Sequence, residues 1–129
     1  MDKKGLAVDK LNNLLRKWQK RLLLNKWKIS IEIVEFTRKD FRQSGDIKVY
    51  PGKKRAVVLL TNNPYLDEEE VLVHELIHLL LWDFDRFCER PILMGVEKPQ
   101  TGKHAIFLSK LESLTDQLTK IIMQKTEVG

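Results

Sequence analysis

Residues 55–82 read RAVVLLTNNPYLDEEEVLVHELIHLLLW, and this stretch decides the fold. It opens on an apolar run of strand length, Ala56 to Leu60. Asn62-Asn63-Pro64 stops that run, because the proline ring and the turn-forming asparagines disfavour further pairing. Asp67 takes the place of a helix N-cap. Glu70 stands three residues on, and Glu68 and Glu69 fall in the first turn, where carboxylates complement the positive end of the helix dipole. A helix over 68–82 follows. Its apolar residues, Val71, Leu72, Val73, Leu76, Ile77, Leu79, Leu80, Leu81 and Trp82, cover nearly the whole circumference, which predicts burial at the centre of the domain.

Working outward, residues 6–24 predict an amphipathic helix, with Val8, Leu11, Leu15, Trp18 and Leu22 at helical spacing. Residues 27–36 alternate: Trp27, Ile29, Ile31 and Ile33 share one face, and Lys28, Ser30 and Glu32 the other, as in a half-buried strand. Ser44-Gly45-Asp46 reads as a turn, 47–50 as a short strand, and Pro51-Gly52-Lys53-Lys54 as a second turn. The first half is therefore expected to be a helix followed by a three-stranded, mainly antiparallel meander. Residues 83–102 contain Pro91, Gly95, Pro99 and Gly102 with little periodicity and are expected to form a long loop. A last helix is expected over 103–124, with Phe107, Leu111, Leu114, Leu118 and Ile121 on its core face.

Length and composition fit one α+β domain spanning 1–129. The chain has 129 residues, 43% hydrophobic and 32% charged, which is an ordinary globular balance. No apolar stretch is long enough to span a membrane. The N-terminus lacks the apolar segment of a secretory signal, so a cytoplasmic protein is expected, and a monomer. One cysteine, Cys88, excludes an intrachain disulfide and a multi-cysteine zinc site. The net charge of +5 is concentrated between Lys10 and Lys28 and between Lys48 and Arg55. Such a basic face could meet nucleic acid, although a solvated helix face and a basic turn account for it as well.

The buried helix carries His74-Glu75-Leu76-Ile77-His78, the pattern H-E-x-x-H. Residues four apart lie one turn apart on one helix face, so both imidazoles can reach a single metal ion. Imidazole is a good zinc ligand, and Glu75 can point at a metal-bound water and take its proton. A shuffled chain with the same three His and ten Glu would show the pattern roughly 0.4% of the time. Two histidines and a glutamate inside an apolar helix are also costly unless something satisfies them.

On these residues the chain resembles the zincin metallopeptidases. Val57 to Thr61, then Asp67 to His78, looks like the edge strand, loop and active-site helix of the compact zincins. The minigluzincins and the SprT-like proteins are the types it is most similar to. His-Glu-Leu-Ile-His-Leu-Leu-Leu-Trp at 74–82 is similar to the SprT-like pattern H-E-x-x-H-x-x-x-W. The resemblance implies a compact zincin-like domain that hydrolyses peptide bonds with Zn²⁺. His74 and His78 would be ligands and Glu75 the general base. The strand at 56–61 would be an edge to which an extended peptide or protein substrate pairs. It also implies an alternative, a largely inactive or self-inhibited module acting on nucleic acid or a protein partner. Minigluzincins can fill their own cleft, and here the segment 83–102 or the tail after Ile122 could do so.

Zincins take a third ligand from downstream, a histidine in SprT-like proteins and a glutamate in gluzincins. His104 and Glu112 are the candidates here, and Glu97 is a remote third. At about 100° per residue, His104 lies about 20° from Leu111 near the centre of the apolar face, and Glu112 about 100° from it at the margin. A ligand must face the active-site helix, which favours His104. Asp83 and Asp85 could orient a ligand imidazole or simply end the helix. Cys88, Tyr50 and Tyr65 read as packing residues, as do Trp18, Trp27 and Trp82. A three-histidine pattern of RNA-processing zinc proteins is excluded, because its third position is Phe84.

Overall fold

In the computed structural model, which describes residues 7–36, 44–64, 66–95 and 98–124, the apolar run becomes the middle of a sheet. β1 (Lys28–Val34), β2 (Gly45–Tyr50) and β3 (Arg55–Thr61) lie in the order β1-β3-β2. β3 runs parallel to β1, with Lys28 opposite Arg55 and Val34 opposite Thr61. It runs antiparallel to β2, with Gly45 opposite Leu60 and Tyr50 opposite Arg55. The sheet is therefore mixed and not a meander, and β3 is its central strand and not an edge. The physical reason lies in the run itself. Ala56, Val58, Leu59, Leu60 and Thr61 are all buried, and such a continuous apolar run suits a strand flanked on both sides. β2 alternates half-buried and exposed residues, as an edge strand can.

The described residues are α+β, with four α-helices and this sheet, and the chain divides into two compact units, Met1–Leu79 and Leu80–Gly129. In the first unit α1 (Val8–Arg21) buries Leu11, Leu15 and Trp18 at the expected helical spacing. It ends in a Schellman-type turn: Leu23 takes φ 59°, and the Leu24 N–H reaches back to the Gln19 carbonyl at 2.8 Å. Leu24 is buried behind that turn. Gln19 locks the passage into β1, donating from Nε2 to the carbonyls of Leu24 at 3.1 Å and Trp27 at 2.7 Å. α2 (Glu68–Leu80) starts as its sequence predicts, with the Asp67 carboxylate accepting the Glu69 N–H at 3.1 Å. Glu69 in turn ties α2 to α1, accepting from Trp18 Nε1 at 2.6 Å and from Lys17 Nζ at 3.2 Å. Val71, Leu72, Val73, Leu76, Ile77 and Leu79 are buried, so the helix is the core of its unit.

The second unit corrects two expectations. Most of the segment expected to be a loop is α3 (Trp82–Met94). Its inward residues include Asp85, Cys88 and Glu89 beside Trp82 and Ile92, and those polar members hide the helical period. Pro91 has no N–H to donate to the preceding turn, and the helix nevertheless continues through it to Met94. α4 (Gly102–Met123) has a different core face from the one its leucines suggest. Leu114 and Ile121 are 47% and 58% exposed, and the buried residues are His104, Thr115 and Thr119. The threonines are buried without penalty because each hydroxyl donates to a carbonyl one turn back, Thr115 to Leu111 at 2.8 Å and Thr119 to Thr115 at 2.7 Å. No helix among the described residues is long and apolar enough to cross a membrane.

Candidate metal centre

Beyond its acidic first turn, the polar residues of α2 are His74, Glu75 and His78. His74 and His78 are half-buried, with ring centroids 4.9 Å apart and planes at 72°. One helical turn separates them, so the two rings lean over the same surface. Glu75 is 7% exposed. A carboxylate so buried needs hydrogen-bonding or charged neighbours. Among the described residues no buried side-chain nitrogen or oxygen lacks a partner.

Gly45, the first residue of β2, brings the sheet against this carboxylate. A Cβ placed there would lie 3.4 Å from Glu75 Oε2, 3.2 Å from the Leu59 carbonyl oxygen and 2.7 Å from Val71 Cγ1. The last distance is shorter than van der Waals contact, so the absence of a side chain allows β2 and α2 to approach this closely. Sequence reasoning missed Gly45, because Ser-Gly-Asp has the composition of a turn and no local signal distinguishes it from the start of a strand.

His104 lies in the second unit, 4% exposed, near the start of α4. Its Nδ1 accepts the Gln100 N–H at 2.7 Å. That contact fixes the proton on Nε2, which donates to Glu89 Oε2 at 2.7 Å. Both ring nitrogens are thereby engaged within the unit, and neither offers a free lone pair to a metal. Glu89 also stands 3.8 Å from an Arg86 nitrogen. Glu112 is exposed on α4. Asp83 and Asp85 lie in the first turn of α3, where they complement the helix dipole. Cys88 is a half-buried free thiol on the same helix. Tyr50 ends β2 with the Arg55 guanidinium 5.2 Å from its ring centroid. Glu97 and Tyr65 fall outside the described residues.

Comparison with known proteins yields no match, whether with family models, with curated proteins or with solved structures. The zincin resemblance accordingly rests on the residues of the chain.

Proposed function

We propose that this chain is a zinc-dependent metallopeptidase of compact zincin-like type, with Zn²⁺ held by His74, His78 and Glu112 and with Glu75 as general base. The observation that carries the reading is the arrangement on α2: two half-buried imidazoles one turn apart and a buried carboxylate next to the first of them. The third place goes to Glu112 for two reasons. His104 already spends both ring nitrogens on Gln100 and Glu89. Glu112 is then the remaining described candidate, and a downstream glutamate is the third ligand that the gluzincin resemblance implies. Two imidazoles and a carboxylate are a common donor set for catalytic zinc.

Zinc bound there would acidify its water and polarise the scissile carbonyl. The work of the chain itself is proton transfer. Glu75 takes the proton of the attacking water as its oxygen bonds to the carbonyl carbon. It returns that proton to the amide nitrogen as the C–N bond breaks, leaving a carboxylic acid and an amine. Its burial keeps the carboxylate away from bulk water. The sheet order supports a substrate place at β2. β2, and not β3, is the edge strand next to Glu75, so an extended peptide adds to β2.

The test combines zinc content by elemental mass spectrometry with cleavage of an unfolded protein substrate. One zinc per chain is expected, lost in His74→Ala, His78→Ala and Glu112→Ala and kept in His104→Ala. Glu75→Gln should keep zinc and lose cleavage. A chain that takes up no zinc when it is offered would overturn the metal site. Zinc kept by Glu112→Ala and lost by His104→Ala would return the third place to His104. Full zinc without cleavage in the parent chain would leave a binding module in place of an enzyme.

A further inference from the structure

α3 carries an apolar stripe on its solvent side. Phe84 is 68% exposed, Phe87 76% and Met94 82%, and Pro91 between them is exposed too. The spacing is three, four and three residues. A repeat alternating three and four residues averages 3.5, the period of a helix that packs along another helix. Two phenylalanines this exposed, in line on one helix, are not the scattered apolar residues of an ordinary surface.

The charges beside the stripe select the occupant. At 100° per residue, Asp83 and Arg90 lie on the same side of the stripe, seven residues apart. Both are exposed, and neither has an ion-pair partner among the described residues. The opposite side carries Cys88, which is uncharged. In an antiparallel pair of identical helices, each side of the seam meets the same side of the partner in reverse order. Asp83 of one copy then meets Arg90 of the other, twice by symmetry. A parallel pair would set Asp83 and Arg90 against the uncharged side and gain nothing.

We propose that the α3 stripe is the contact surface for a second copy of this chain, packed antiparallel about an axis near Phe87. The apolar area offered by Phe84, Phe87, Pro91 and Met94 is on the order of 500 Å² per copy, the two aromatic side chains having about 150–250 Å² each. That is at the low end for a specific interface, so the dimer forms in the micromolar range. The proposal departs from the monomer expected from the sequence and is independent of the peptidase reading.

Sedimentation velocity of the full chain from 1 to 200 µM tests it. The parent should shift from monomer toward dimer across that range. Phe87→Glu should remain monomeric at the highest concentration, as should Phe84→Ser, each with an unchanged circular dichroism spectrum. Asp83→Arg alone and Arg90→Asp alone should each weaken the dimer by ten-fold or more, since each sets like charges together twice. The double reversal should restore it to within about three-fold of the parent. A parent monomeric at 200 µM would overturn the proposal. So would a dimer indifferent to Phe87→Glu, or one that the double charge reversal fails to restore.

Discussion

Gly45→Ala probes the close approach of β2 to α2. The added Cβ would stand 2.7 Å from Val71 Cγ1 and 3.2 Å from the Leu59 carbonyl oxygen, against an ordinary carbon–carbon contact of about 3.5–4.0 Å. Overpacking of this kind costs about 1–3 kcal/mol. Replacing glycine at a position without positive φ returns about 0.4–1 kcal/mol through the unfolded state. The net loss is about 1–2 kcal/mol, which for a unit of this size lowers Tm by roughly 5–15 °C. Val71→Ala removes the nearest obstacle. In that background the cost of Gly45→Ala should fall by about 1 kcal/mol, measured as the coupling in a four-member urea-unfolding cycle. Costs that add within about 0.5 kcal/mol would refute the claim that Val71 is what the side chain meets. The third neighbour, Glu75 Oε2 at 3.4 Å, is at ordinary contact distance and need not shift.

Three further outcomes follow from the packing. Leu23→Gly should stabilise the chain by about 0.5–1 kcal/mol in thermal unfolding, because Leu23 holds φ 59° with its side chain 84% exposed, and glycine takes that conformation freely. Trp18→Phe keeps most of the buried ring but removes the Nε1–H that donates to Glu69 at 2.6 Å. Urea titration should show a loss of about 1–2 kcal/mol, with most of it absent when Glu69 is already Ala. Thr115→Val and Thr119→Val should each change stability by less than about 0.5 kcal/mol, since the carbonyls their hydroxyls reach are already helix acceptors. Thr115→Ala, by leaving a void at a fully buried position, should cost more than about 1 kcal/mol by the same titration.

Local chemistry made much of the first unit readable. Asp67 caps α2 as its side chain and the following glutamates predict. Of the residues that the period of α1 selects, Leu11, Leu15 and Trp18 are buried while Val8 is exposed, and β3 has the bounds its apolar run suggests. Strand order was not readable, because pairing is decided by which faces must be covered. The clue lay in a contrast between strands: β3 is apolar throughout, whereas β1 and β2 alternate. A strand covered on both sides belongs in the middle, and β1 then has to pair with β3 across the sheet in parallel. α4 was misread for a related reason. Leucine and isoleucine positions were weighted as core, but a threonine whose hydroxyl bonds back to its own helix can be buried with little penalty, so Thr115 and Thr119 displaced Leu114 and Ile121.

The same blindness explains the ranking of the third ligand. His104 stood near the centre of an apolar stripe, and a histidine there needs a partner. A metal was the partner the motif offered. The alternative was Glu89, which sequence reasoning had left inside a loop because Pro91 and the polar inward face of α3 concealed a helix. Once α3 forms, Glu89 faces inward at a fixed place and accepts the Nε2 proton of His104, while the Gln100 N–H takes the other nitrogen. The pair is then a closed hydrogen-bonded unit holding the start of α4 to α3. Glu89→Leu separates this structural role from ligation. It leaves the buried Nε2–H without an acceptor and should destabilise the chain by about 1–3 kcal/mol in urea unfolding. On the metallopeptidase reading, the zinc content of the folded protein should not change. Zinc lost from the folded Glu89→Leu protein in proportion to one ligand would show that His104, oriented by Glu89, belongs to the metal after all.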